Sequence, residues 1–81
     1  MPSSETPAWL HHLRQQVGRR IRAAREGAGL SQEDLAERAE ISRHTVYRAE
    51  TGSHATSTDA ILKIARALQV PPADLFPSEY P

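Results

Sequence analysis

The 81-residue chain has no cysteine, so neither a disulfide framework nor a thiolate metal site is open to it. Its apolar runs fall far short of the roughly 20 residues that a membrane-spanning helix requires. The opening MPSSETPAW lacks the basic and apolar regions of a secretory signal. There is no strand-like alternation, internal repeat or low-complexity linker. Catalytic signatures are missing as well: no glycine-rich phosphate loop, no nucleophile elbow and no paired acid and base on one helix face. His11, His12 and His54 have no metal-ligand spacing with acidic partners and read as surface histidines. These absences lead to the expectation of one small cytoplasmic domain that is not an enzyme and carries no cofactor or metal.

Charge of one sign is also lacking. Ten basic residues balance ten acidic ones, and a net charge of zero argues mildly against nucleic acid as a partner. The distribution argues the other way. Five arginines face two glutamates up to Leu30, and the acids Glu33, Asp34, Glu37 and Glu40 then gather just ahead of Arg43 and Arg48. Nonspecific attraction to DNA is therefore weak, while a local basic edge survives.

That edge lies in the stretch around which the chain is organised, QEDLAERAEISRHTVYRAETG from Gln32 to Gly52. Leu35, Ala36 and Ala39 form one apolar stripe at helical spacing, and Val46 and Ala49 resume it after Ile41. Two short helices around a tight turn follow from this spacing. Ser31 and Ser42 supply hydroxyls that cap the two helix starts, and Ser31 with Asp34 has the spacing of a capping box. The second helix runs from about Arg43 to Glu50, and Gly52 suits a left-handed C-terminal cap. Ala36 allows the steep crossing that such a pair needs. Arg43, His44, Tyr47, Arg48 and Thr51 are left pointing outward.

The flanking elements follow from the same periodicity. Thr6 and Pro7 read as N-cap and first helical position of a helix reaching about Gly27, weakened at Gly18, with Leu10, Leu13, Val17, Ile21 and Ala24 on one face. Trp9 and Leu10 either cover the domain's own core or belong to a dimer surface; Val70, Phe76 and Tyr80 are the alternative dimer surface. A fourth helix opens near Ser57 to Asp59 and carries Ile61, Leu62, Ile64, Ala65 and Leu68 inward. PPADLF reads as a fifth short helix with Leu75 and Phe76 inward, ended by Pro77. The expectation is an all-α, compact five-helix bundle with the helix-turn-helix at about 32–50. It divides into a flexible segment 1–6, a domain 7–76 and a short tail 77–81.

The spaced residues Leu30, Ser31, Gln32, Leu35, Ala36, Ile41, Ser42, Val46, Glu50 and Gly52, followed by ILKIARAL and by Leu75 with Phe76, carry a resemblance. Over about Gly18 to Phe76 the chain resembles the phage-repressor-like (Cro/CI, XRE) helix-turn-helix family. It departs at Glu40, where the family has a turn glycine, at Thr56, where it has proline, and at Ala49, where it has a larger aliphatic. The resemblance implies the lambda-repressor-like fold and base contacts from Ser42, Arg43, His44 and Arg48. It also implies that Arg25 of the first helix meets Glu50 at the close of the reading helix. Chemistry supports these readers, because an arginine can donate two hydrogen bonds to guanine O6 and N7 in the major groove. Ser31, Gln32, Tyr47, Thr51 and Ser53 read as phosphate-side or supporting residues, Gln32 either touching phosphate or buttressing the reader.

The function expected from the sequence is a bacterial or phage-encoded, nucleoid-associated transcriptional regulator. As a homodimer it places helix 43–50 in the major groove of a palindromic operator on double-stranded DNA. The alternative is a protein-interaction module or antitoxin that turns the same fold against a toxin or another regulator.

Overall fold

The first helix, α1 (Ala8–Gly27), buries Leu13, Gly18 and Ile21, with Val17 partly buried beside them. The computed structural model describes residues 6–79; the expected flexible segment therefore lies largely outside the described residues, and so does Tyr80. Pro7 is not the first helical residue. With φ −65° and ψ 152° it stands just outside the helix as its N-cap, and its carbonyl accepts the Leu10 and His11 N–H groups at 3.1 Å. No side chain caps this end, so Thr6 does not take the role expected of it.

The next helices, α2 (Gln32–Ala39) and α3 (Arg43–Thr51), start as their sequences direct. Ser31 Oγ accepts the Asp34 N–H at 3.0 Å, and the Asp34 carboxylate accepts the Ser31 N–H at 3.0 Å. The Ser31 backbone N–H, and then its hydroxyl, hold the Asp34 carboxyl below its ordinary titration range. A depressed folded-state pKa means that the capping box contributes above the usual aspartate range. That contribution is lost as pH falls through the folded value. Ser42 Oγ likewise accepts the Thr45 N–H at 3.0 Å, and Ser57 caps α4 (Thr58–Leu68) through Ala60 N–H at 3.1 Å.

Three helices end by one device. Leu30, Ile41 and Val70 donate back to the carbonyls of Arg25, Ala36 and Ala65, while Gly29, Glu40 and Gln69 take left-handed backbone to allow it. Glycine does this freely, but Glu40 (φ 58°) and Gln69 (φ 59°) bear a strain of roughly 1 kcal/mol or more. Glu40 thus accepts the conformation of the family's turn glycine rather than bending the turn differently. Glu40→Gly is expected to raise the unfolding free energy by about 0.5–1 kcal/mol, the relief of strain less the added freedom of the unfolded chain. Thermal unfolding monitored by circular dichroism should show a midpoint higher by about 2–8 °C; an unchanged midpoint would mean that the strain does not exceed the freedom that glycine adds to the unfolded chain.

The described residues form four α-helices, not five. Pro72–Leu75 forms a single 3₁₀ turn closed by Asp74 N–H to Pro71 O at 2.9 Å and Phe76 N–H to Ala73 O at 3.2 Å. Two prolines without N–H groups at its start and Pro77 just beyond its end leave no room for an i→i−4 ladder. Such a tight turn cannot send neighbours to one side. Leu75 is 2% exposed and enters the core, whereas Phe76 is 41% exposed, so the expectation that both face inward fails for Phe76. Leu62, expected inward on α4, also faces out at 48%. Among the described residues the structure is all helix and turn.

The core runs through Ile21, Leu35, Val46, Ile64 and Leu75, one side chain from each element, with Ala36, Ala49 and Ala65 where helices approach closely. Helix α1 packs against α3 with no space between the two backbones at Gly18. A Cβ built on Gly18 would collide with the Glu50 carbonyl oxygen and lie 2.6 Å from that of Ala49. Whatever Gly18 costs α1 in helix propensity, it is what lets α3 seat against it.

Candidate nucleic-acid interface

Helix α3 divides into two faces by its periodicity. Val46, Ala49 and Glu50 are buried, and Arg43, His44, Tyr47, Arg48 and Thr51 are exposed on the opposite side. Burial of the first set fixes the direction of the second. No carboxylate bridges Arg43 or Arg48 among the described residues, so both guanidinium groups are available to an outside acceptor.

What holds the helix is a polar group beneath it. Arg25 donates from Nε to Glu50 Oε2 at 2.6 Å and from Nη2 to Oε1 at 3.1 Å, a two-pronged arrangement that fixes both side chains. Its third donor, Nη1, reaches the Leu30 carbonyl at 2.8 Å. The Arg25 and Glu50 side chains are 11% and 4% exposed. The hydrogen bonds to Glu50 push the Arg25 guanidinium pKa up against the opposing effect of burial, so the guanidinium stays charged. Gln32 Nε2 donates to the same Glu50 Oε1 at 3.1 Å. Gln32 therefore buttresses the reading helix, tying the first turn of α2 to the last turn of α3. Its pairing with Glu50 and the Leu30 carbonyl's part leave no trace in sequence spacing.

Other candidates are placed less uniformly. The Ser42 hydroxyl is occupied at the helix start, accepting from Thr45 N–H and lying 2.8 Å from Thr45 Oγ1. Thr45, which periodicity leaves unremarked, is thus part of the local geometry. Ser31 is likewise held in its capping box. At the far end, Thr51 Oγ1 donates to the Arg48 carbonyl at 3.2 Å and contacts Ser53 Oγ at 2.9 Å, which in turn lies 3.1 Å from His54 Nδ1. The hydroxyls of this exposed chain can turn to an outside acceptor. At the start of α3, Gln32, Arg43, His44 and Tyr47 surround an open depression of about 440 Å³.

Elsewhere, no group of three or more histidine, aspartate and glutamate side chains among the described residues is arranged to hold a metal ion. Among the same residues, no helix is long and apolar enough to cross a membrane.

The chain that carries this exposed, unbridged basic face on the second of two short helices is similar to several regulators. At 38% identity over 71 residues, the chain is similar to an uncharacterized transcriptional regulator in the ATPase CF(0) region of Rhodospirillum rubrum. The match takes in 88% of this chain and 65% of that protein, so the chain spans just under two thirds of the relative's length. In structure it is similar to the restriction-modification controller protein C.AhdI from Aeromonas hydrophila, with a TM-score of 0.75 and 40% identity over 78% of this chain and 96% of that one. It is also similar to the clp gene regulator ClgR from Corynebacterium glutamicum, with a TM-score of 0.72 and 27% identity over 78% of this chain and 82% of the other. A model of the helix-turn-helix domain matches residues 16–76, from the α1 residues that seat α3 to the turn that closes the core, and the chain belongs to that family.

Proposed function

We propose that the protein is a sequence-specific transcriptional regulator whose domain, residues 7–76, presents α3 to the major groove of double-stranded DNA. The observation that carries this reading is the pair of exposed arginines, without an ion pair among the described residues, on a helix locked from beneath by Arg25, Glu50 and Gln32. A major groove admits one α-helix and offers guanine O6 and N7 as paired acceptors. Arg43 and Arg48 take guanine, and His44 a purine acceptor or a phosphate. Ser42 sets where the helix begins, next to those readers. Thr51 and Ser53 bring hydroxyls, and Ser31 and Gln32 the start of α2, to the phosphate backbone. The C.AhdI and ClgR likenesses support regulation of transcription. The experiment is selection of binding sequences from a random duplex pool by the purified protein. Recovery of a two-fold symmetric motif supports the reading, and absence of enrichment by a folded, helical protein refutes it.

A two-fold motif calls for a dimer with reading helices about 34 Å apart. Trp9 and Phe76, one from each of the surfaces weighed, are both exposed; we place the contact at Phe76, joined by Leu62 in place of Val70 and Tyr80. Leu62 and Phe76 are both exposed and line an apolar cavity of about 260 Å³ with Val17, Ile61 and Pro72, beside Ala49 and Gly52 at the end of α3. A pair joined here brings the ends of two reading helices towards one axis. Leu62→Glu with Phe76→Glu is expected to convert a dimer into a monomer in sedimentation experiments while leaving the helical signal intact. A wild-type protein that sediments as a monomer on its own and on DNA would rule this surface out.

A further inference from the structure

Tyr47 is 52% exposed, an unusual place for a large aromatic ring, and its hydroxyl has no hydrogen bond among the described residues. It follows His44 and Arg43 by three and four positions on α3 and so shares their face. With Gln32, these residues enclose the depression at the helix start. Its walls are mostly apolar, as a flat aromatic ring and the methylene stem of an arginine can make them. Nor is it a loose surface fold: the Gln32 amide is held by Glu50, which Arg25 holds in turn.

Resting on the DNA-reading function proposed above, we infer that Tyr47 makes this depression a receptor for the 5-methyl group of a pyrimidine, the thymine next to a base pair contacted by Arg43. In the major groove thymine shows an O4 acceptor and a projecting C5-methyl, and only the methyl seeks an apolar wall. A 5-methylcytosine shows the same methyl group in the same position, so the two sources share one chemistry. Tyr47 then determines specificity through its ring, and its hydroxyl contributes little. Burying one methyl group corresponds to about a fourfold change in affinity.

The test uses the operator recovered by selection, with each thymine replaced in turn by deoxyuridine, which removes only the methyl group. One position per half-site should lose about fourfold in affinity for the wild-type protein. Tyr47→Phe should keep that discrimination, and Tyr47→Ala, checked for folding by circular dichroism, should bind thymine and uracil operators alike. Placing cytosine at that position should weaken binding, and 5-methylcytosine there should restore part of the loss. Specific binding that is indifferent to every thymine-to-uracil change overturns the inference and leaves the DNA-reading function standing. A Tyr47→Phe variant that no longer distinguishes thymine from uracil also overturns it, since the ring alone would then not be reading the methyl group. Failure to recover any operator overturns both.

Discussion

A Glu50→Ala variant is expected to lose about 3–5 kcal/mol of unfolding free energy, read from the midpoint of urea unfolding at neutral pH. The reason is what the substitution leaves behind. Arg25 is 11% exposed in its side chain and directs two of its donors at the Glu50 carboxylate. Without that carboxylate a nearly buried cation retains only the Leu30 carbonyl, and the Gln32 amide loses its acceptor. Set against the roughly 5–15 kcal/mol of a typical domain, such a loss leaves a substantial unfolded population. Joint replacement, Arg25→Met with Glu50→Leu, should recover most of the stability, because it removes both charges and fills the space. A Glu50→Ala loss below about 1 kcal/mol would show that the pair behaves as a solvated surface pair, contrary to its burial.

Gly18→Ala should destabilise by about 3 kcal/mol, the upper part of the usual cost of forcing atoms into a filled space. Helix propensity alone predicts the opposite sign, a gain of about 1 kcal/mol for alanine over glycine in a helix interior. Packing wins here because the new methyl group would meet backbone, the Glu50 and Ala49 carbonyls, rather than a side chain that can swing aside. Helix α1 would have to slide along α3 and disturb the Arg25 and Glu50 pair as it moved. Gly27→Ala provides the control in the same helix: a Cβ there would meet nothing within 4 Å, and propensity should prevail. Equal effects from the two substitutions would refute the close approach of α1 and α3.

The parts of this molecule that were legible in its sequence are those set by local chemistry. Ser31, Ser42 and Ser57 each announce a helix start, and each caps one. The stripe of Leu35, Ala36, Ala39, Val46 and Ala49 marks the buried side of the helix pair, and the exposed side follows by subtraction. What stayed hidden depends on neighbours distant in the chain. Gly18 reads as a flaw in a helix until α3 is laid across it. Phe76 and Leu62 read as core because apolar residues beside core residues do, and only the 3₁₀ turn and the setting of α4 turn them outward. Gln32 lies 18 residues from Glu50, and no periodicity links them.

The most direct test of base reading by α3 is equilibrium binding of the wild type, Arg43→Ala, Arg48→Ala and Gln32→Ala to the selected operator and to random duplex at one salt concentration. Holding salt fixed matters because phosphate contacts respond to it on both DNAs. Each arginine variant should bind the operator about ten- to a hundredfold more weakly, the worth of a bidentate guanine contact, with only a small loss on random DNA. Gln32→Ala, which removes the tie between α2 and Glu50 and so loosens the seat of α3, should weaken both. Equal losses on operator and random DNA for Arg43→Ala and Arg48→Ala would contradict base reading and reduce the two arginines to phosphate contacts.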